Sequence, residues 1–332
     1  MARESVCAAL VVLLFAGSAA AVMPEEVAAS PGLTLQAALD RSGFSPGEID
    51  GRLGAVTKRA LAAFQREHRL TPTGAIDDKS WAALGVKPGE PAKTITQYSI
   101  AAEDVQGPFT SEIPEDMAAK AELPALDYTG VVEALAERFH VAPALLKALN
   151  PDAKFAAGET ITVPQVSTPP PAVTTARDAR GTEKAPEAVG ASSGATGVTV
   201  SVSKSAEALT VRNADDKILL FAPVTVGSEH DPLPIGRWKV KGVQRNPVFH
   251  YNPDLFWDAD PSHTKASIPA GPNNPVGVVW IDLDKPHYGI HGTPEPGKIG
   301  YRESHGCVRL TNWDALKLAA LVKPGTAVIF EP

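Results

Sequence analysis

Apolar residues recur at helical spacing near the start of the chain and at strand spacing toward its end. Leu35, Ala38 and Leu39 share one helical face, and Val56, Ala60 and Phe64 repeat every four residues, the period of an amphipathic helix. Gly51 and Gly54 bracket a turn before the second of these helices, and Gly74 marks another after it. Asp77 is placed to cap a short third helix that buries Trp81 and Leu84. The pattern predicts a small all-α module over 33–85. Farther on, Val131–His140 and Pro143–Leu149 read as two short helices closed by Asn150-Pro151, and Thr160–Val163 as a strand. Together they predict a small α+β unit over 94–164. From Val198 the period changes to two: Val198, Val200 and Val202 alternate with Thr and Ser. Leu219–Val226, Arg237–Lys241, Val278–Leu283 and Ala327–Phe330 are also strand-like, and Pro and Gly punctuate them closely. Asn312 is placed to cap one late helix carrying Leu316, Ala319 and Ala320. Residues 198–332 are therefore expected to form a mainly β domain, and the chain to be multidomain.

Composition locates the joints. Residues 166–197 contain Pro169-Pro170-Pro171 and then Ala, Thr, Ser and Gly with almost no large apolar side chain. Such a stretch buries too little surface to fold and reads as a flexible linker. On that reading the helical module is a tethered binding unit, and a fragment 198–332 keeps the chemistry by itself. Lys87–Lys93 is a shorter break. The N-terminus carries Arg3 offset by Glu4, an apolar run from Val6 to Ala16, and Ala19-Ala20-Ala21. This is the pattern of a signal peptide over 1–21, cleaved before Val22; the rival reading is an uncleaved anchor. The expected location is exported, in the periplasm or cell wall, with no stable membrane insertion after cleavage. A net charge of −7 argues against nucleic acid as a partner.

Export changes the meaning of cysteine. Of Cys7 and Cys307, the first lies in the apolar leader, so one thiol remains in the mature chain and cannot form an internal disulfide. Cys307 lies in S-H-G-C-V-R-L at 304–310, after Y-G-I-H-G-T at 288–293. A thiol attacks acyl carbon as thiolate and needs a base or cation nearby. His291 and His305 are the candidates for that partner. Gly306 removes a side chain where substrate approaches, and its neighbouring N–H groups could line an oxyanion hole. Arg309 offers a fork for a carboxylate. A metal site built from His287, His291, His305 and Cys307 is the competing reading. His287 and His291 sit on a strand-like run, about 13 Å apart at strand rise, and no H-E-x-x-H is present. The expectation is no metal. Ser304 reads as a loop residue holding the turn, Asp282 and Asp284 as solvated strand ends, and Trp238, Trp257, Trp280 and Trp313 as core or cleft wall.

These stretches carry family resemblances. L-Q-A-A-L-D-R-S-G-F, I-D-G-R-L-G-A-V-T-K-R-A-L-A-A-F-Q-R-E-H-R-L and T-G-A-I-D-D-K-S-W-A-A-L resemble the peptidoglycan-binding helical module. A-L-A-E-R-F-H-V-A-P-A-L-L-K-A-L-N-P and A-G-E-T-I-T-V-P resemble a LysM glycan-binding repeat, without its usual Gly-Asp-Thr-Leu opening. P-L-P-I-G-R-W-K-V at 232–240, I-P-A-G-P-N-N-P-V-G at 268–277 and the run from Tyr288 to Asn312 resemble the L,D-transpeptidase catalytic domain. The last resemblance implies Cys307 as nucleophile and His291 as proton carrier, its ring oriented by a backbone carbonyl. Gly292, Ser304, His305, Gly306 and Arg309 would form the pocket and oxyanion site. It further implies amide exchange through a thioester with no cofactor, on peptidoglycan stem peptides and glycan strands. Water as acceptor would make the enzyme an L,D-carboxypeptidase, and a lipoprotein lysine an anchoring enzyme. A wall-binding protein without chemistry is the alternative of a different class.

Overall fold

The computed structural model describes residues 24–167, 197–257, 259–260, 262–301 and 306–332. The expected signal peptide with Cys7, nearly all of the expected linker, and Ser304 and His305 lie outside the described residues. Among those described, no helix is long and apolar enough to cross a membrane.

The N-terminal module is helical. It comprises α1 (Pro24–Ala28), α2 (Pro31–Arg41), α3 (Ala55–Glu67) and α4 (Asp78–Leu84). Local chemistry sets the ends. Ser30 accepts the Leu33 N–H ahead of Pro31 at the start of α2. The Asp77 carboxylate accepts the Ser80 N–H at 2.8 Å, and Gly85 closes α4 in the left-handed region. Leu35, Leu39, Leu61, Phe64 and Trp81 point inward, as their spacing requires.

The middle region contains β1 (Ile95–Ser99), α5 (Ala102–Gln106), α6 (Met117–Ala121), α7 (Val131–Arg138), α8 (Pro143–Leu149) and β2 (Thr160–Pro164). β1 pairs antiparallel with β2. Periodicity misses β1 because Thr96, Gln97 and Ser99 dilute it and only Ile95 and Tyr98 turn partly inward. The first predicted helix also runs two residues too far. α7 stops at Arg138, and His140 takes φ +56°, which sends its ring toward the N-terminal module.

The C-terminal domain is mainly β. Its strands are β3 (Thr199–Ser203), β4 (Ala208–Arg212), β5 (Ile218–Pro223), β6 (Gly236–Arg245), β7 (Phe249–Tyr251), β8 (Ala266–Ile268), β9 (Val279–Leu283), β10 (Gly289–His291), β11 (Val308–Arg309) and β12 (Ala327–Glu331). Eight of them form one sheet in the order β11-β10-β9-β6-β12-β3-β4-β5, and β7 pairs with β8 as a separate hairpin. Helix α9 (Asn312–Leu321) covers the buried face with Ala315, Leu318 and Ala319. Thr311, not Asn312, is its N-cap: the Thr311 hydroxyl accepts the Asp314 N–H at 3.2 Å. The Asn312 amide is committed elsewhere, to the Val278 N–H and to Glu137.

The three parts are joined by direct contacts. The expectation of a free, tethered helical module is therefore corrected. Residues 43–45 run beside β5, the outer strand of the sheet, where Ser45 N–H donates to Phe221 O and Phe221 N–H to Gly43 O, both at 2.8 Å. Phe44 stacks on Phe221 at 6.2 Å, and Phe221 and Ala208 enter the core of the helical module. An exposed edge strand is a template for aggregation, and here the module covers it. The middle region grips the β7–β8 hairpin: Leu126 lies buried with Tyr251 and Ile268, and its N–H donates to Ala270 O at 3.0 Å. A fragment 198–332 would expose all of these surfaces.

Candidate active site

β10 and β11 run parallel, with Ile290 opposite Val308 and His291 opposite Arg309. Cys307 immediately precedes β11. Side chains two apart on a strand share a face, so His291, Arg309 and, with the strand extended by one step, Cys307 turn the same way. The register puts the Cα atoms of Cys307 and His291 about 8 Å apart, from the strand spacing and a two-residue offset. Two side chains can close such a gap. β11 is also bracketed on its other side, where Arg309 N–H donates to Thr225 O at 2.9 Å and Thr225 N–H to Arg309 O at 3.1 Å.

His291 is buried, 4% exposed. Its Nδ1 donates to the Gly292 carbonyl at 2.7 Å. A carbonyl can only accept, so this bond places the proton on Nδ1 and leaves the Nε2 lone pair available. The Trp280 indole stacks on the ring at 5.4 Å and 18°. Gly289 makes that possible, because a Cβ there would come within 2.5 Å of the indole. Burial, the Arg309 guanidinium and, opposing them, the Gly292 bond push the imidazole down to about 3. His291 is therefore neutral across the physiological range.

Cys307 is half-buried and outside any disulfide. Its thiol faces the His287 carbonyl at 3.8 Å. Burial pushes it upward; a bond to the Gly289 backbone and the Arg309 charge pull it down, and Asp231 adds to the rise. At rest both the Cys307 thiol and the His291 imidazole are neutral. This differs from a thiolate held by a protonated histidine, and the physical reason is desolvation: neither charged form is cheap in this site. Gly306 has φ +96°, and a Cβ there would come within 2.9 Å of the Tyr288 ring. Only glycine suits both the backbone conformation and the contact.

The structure corrects the placement of His287. It is not on a straight strand with His291 but in the turn between β9 and β10, at φ +65°. The Tyr288 N–H closes that turn on Lys285 O. What His287 offers the thiol is its carbonyl, not its ring. Among the described residues, no group of three or more His, Cys, Asp or Glu could hold a metal ion. The four tryptophans divide. Trp313 is core, Trp238 packs partly against the core, Trp280 walls the site, and Trp257 is 60% exposed, stacked on His230 at 4.3 Å. The reading of Trp280 as core or cleft wall placed it correctly, whereas residue-type reasoning missed Tyr288, although it stands inside the motif and the glycines at 289 and 306 signalled close approach.

Residues 197–330 match the family model of the L,D-transpeptidase catalytic domain, and residues 33–84 that of a peptidoglycan-binding domain. Residues 197–330 are thus similar to L,D-transpeptidase catalytic domains. YkuD of Bacillus subtilis (strain 168), by name a candidate L,D-transpeptidase, is 32% identical over 129 residues, which are 39% of this chain and 63% of that protein. YbiS of Escherichia coli (strain K12), similarly named, is 34% identical over 116 residues, 34% of this chain and 37% of that one. The match thus spans less than two thirds of either relative. A solved L,D-transpeptidase from Mycobacterium smegmatis aligns with 41% of this chain and 58% of its own at 22% identity, with a TM-score of 0.33. The domain assignment and the thiol–imidazole geometry fall on the same segment, Gly289–Arg309.

Proposed function

We propose that the chain is an exported peptidoglycan L,D-transpeptidase working through a thioester on Cys307. The observation that supports this reading is the pairing of β10 with β11, which puts Cys307 on the same face as a neutral imidazole whose free nitrogen can take a proton. In the first half-reaction the Cys307 sulfur attacks the carbonyl of the third stem residue. The S–C bond forms as the amide C–N bond breaks. The thiol proton passes to His291 and on to the leaving terminal D-alanine. In the second half an amine of a neighbouring stem attacks the thioester, gives its proton to His291, and the imidazole returns it to the sulfur. Neutral resting partners make His291 a base only as the thiol reacts, so proton transfer and attack are coupled. Arg309, which faces both, stabilises negative charge as it develops. Gly306 keeps the approach to the sulfur clear, and Gly292 supplies the carbonyl that holds the ring. Ser304 and His305 complete the pocket on the strength of the motif alone.

Residues 33–84 hold the enzyme to the wall. The middle region has the β-α-α-β order of a LysM repeat with an insertion between β1 and α7, which fits glycan contact. No cofactor is required. The test is mass spectrometry of the full chain with a tetrapeptide donor, followed by analysis of the products on adding an amine acceptor. A mass increase equal to the donor minus D-alanine, lost in Cys307→Ala, is the expected result. Cross-linked product would establish transfer, and hydrolysed product alone would make the enzyme a carboxypeptidase. An adduct that persists in Cys307→Ala would refute the assignment.

A further inference from the structure

The carbonyl that orients His291 belongs to Gly292, and Gly292 is itself seated against a side chain. A Cβ at Gly292 would come within 2.2 Å of Asn312 Oδ1, and one at Gly277 within 2.0 Å of the same atom. The backbone of both glycines therefore lies directly on the Asn312 amide. The rotation of that amide is set at both ends. Oδ1 accepts the Val278 N–H at 3.1 Å. Nδ2 donates to Pro272 O at 3.2 Å and to both carboxyl oxygens of Glu137 at 3.1 Å. Glu137 comes from α7 of the middle region, not from the catalytic domain. Its own carboxyl is fixed by the Tyr128 hydroxyl, which donates to Oε1 at 2.9 Å.

We propose that Glu137 is a positioning residue for His291, acting across the domain boundary through the Asn312 amide and the Gly292 peptide. Turning the Asn312 amide over would put an NH2 group against the Gly292 Cα and leave the Val278 N–H without its acceptor. The carboxyl group of Glu137 is the acceptor that holds Nδ2 outward and makes this costly. With the amide held, the Gly292 carbonyl stays aimed at Nδ1, and the imidazole keeps the tautomer that leaves Nε2 free. The middle region then contributes to the chemistry of the site through this relay of contacts. The inference rests on the reading of His291 as proton carrier for its consequence on turnover, but not for its consequence on the tautomer.

The experiment compares the full chain with Glu137→Met, which keeps length and removes the acceptor, and Glu137→Gln, which retains one acceptor oxygen. Ring-nitrogen NMR of histidine-labelled protein, with His291→Gln to assign the signals, reads the tautomer. Wild type should show His291 with its proton on Nδ1. Glu137→Met should show an averaged pattern and lose turnover roughly ten- to a hundredfold, the cost of a misplaced catalytic group, with the KM for donor little changed. Glu137→Gln should restore the pattern and most of the rate. A Glu137→Met protein that is folded, with the wild-type nitrogen spectrum, would overturn the proposal. If Glu137→Met fails to fold, Glu137→Gln decides through Tyr128→Phe: an unchanged spectrum in the double variant overturns it. A wild type that forms no thioester defeats the proposed activity while the nitrogen spectrum still decides this inference.

Discussion

Helix α9 meets both accessory parts of the chain, and the two junctions are built on different principles. At one, Asp40 of the helical module, His140 of the middle region and Lys317 of α9 converge. Asp40 and His140 are fully buried, with Asp40 Oδ2 at 2.8 Å from His140 Nδ1 and 3.1 Å from Lys317 Nζ. His140 stacks on Trp313 at 5.0 Å, and the neighbouring Asp314 accepts the Ser45 hydroxyl at 2.6 Å. At the other, Glu137 meets Asn312 and, among the described residues, makes no ion pair with a cation, and its residue is only partly buried. Burial acts on both carboxyls in the same direction, upward. At Asp40 the charges of His140 and Lys317 and the bonds from His140 and Ser167 more than offset it, so the carboxyl is held well below its usual range. At Glu137 the bonds from Asn312 and Tyr128 do not offset it, Glu133 adds to the rise, and the carboxyl sits at about 7. A paired buried charge locks; an unpaired one stays responsive.

The largest expected effect lies at the locked junction. Asp40→Ala leaves His140 without its carboxylate and Lys317 with only the more distant Asp314 at 3.9 Å, which costs about 3–5 kcal/mol for a broken buried pair. Urea unfolding should show that loss together with detachment of the helical module. An unchanged midpoint would mean that the junction carries no stability. The fragment 198–332 should fare worse still, since it lacks the whole cover of β5, and aggregation on expression is the expected outcome. A soluble, active fragment would overturn the structural role given to the module.

pH should separate the two junctions by sign. The Asp40 pKa is lowered on folding, so its contribution is present above its unfolded value near 3.8 and is lost as pH falls below it. The Glu137 pKa is raised, so its contribution is fully present below the unfolded value of 4.5 and is lost as pH rises through about 7. On the order of 2 kcal/mol is at stake at Glu137, allowing for its partial exposure. Stability measured from pH 4 to pH 8 should therefore fall for wild type and flatten in Glu137→Gln. The same slope in both proteins would remove Glu137 from the account.

The smallest effect is kinetic. Because His291 remains neutral down to about 3 and burial raises the Cys307 thiol, alkylation of Cys307 should accelerate steadily with pH. A fast, pH-independent rate in mild acid would instead indicate a thiolate–imidazolium pair. His291→Ala should change this profile little while abolishing turnover, which separates the thiol's ionisation from its use.

Much of this molecule is determined by its sequence alone. The four-residue repeat of Val56, Ala60 and Phe64, the Asp77 cap and the alternation from Val198 are local facts, and local facts set helices, strands and their ends. The Y-G-I-H-G-T and S-H-G-C-V-R-L stretches name the thiol, the imidazole and the glycines, because those residue types have few other uses at that spacing. The tertiary structure decided what depends on which segments meet. β1 is too polar to announce itself and exists because β2 lies beside it. His287 is turned away by a positive φ that the sequence pattern does not contain. Asn312 looks like a helix cap until its amide finds Val278 and Glu137, 175 residues away in the chain. The ionisation of Cys307, His291 and Glu137 follows from burial, and burial is a property of the assembled chain: desolvation sums over every neighbour, and those of Glu137 come from both the middle region and the catalytic domain.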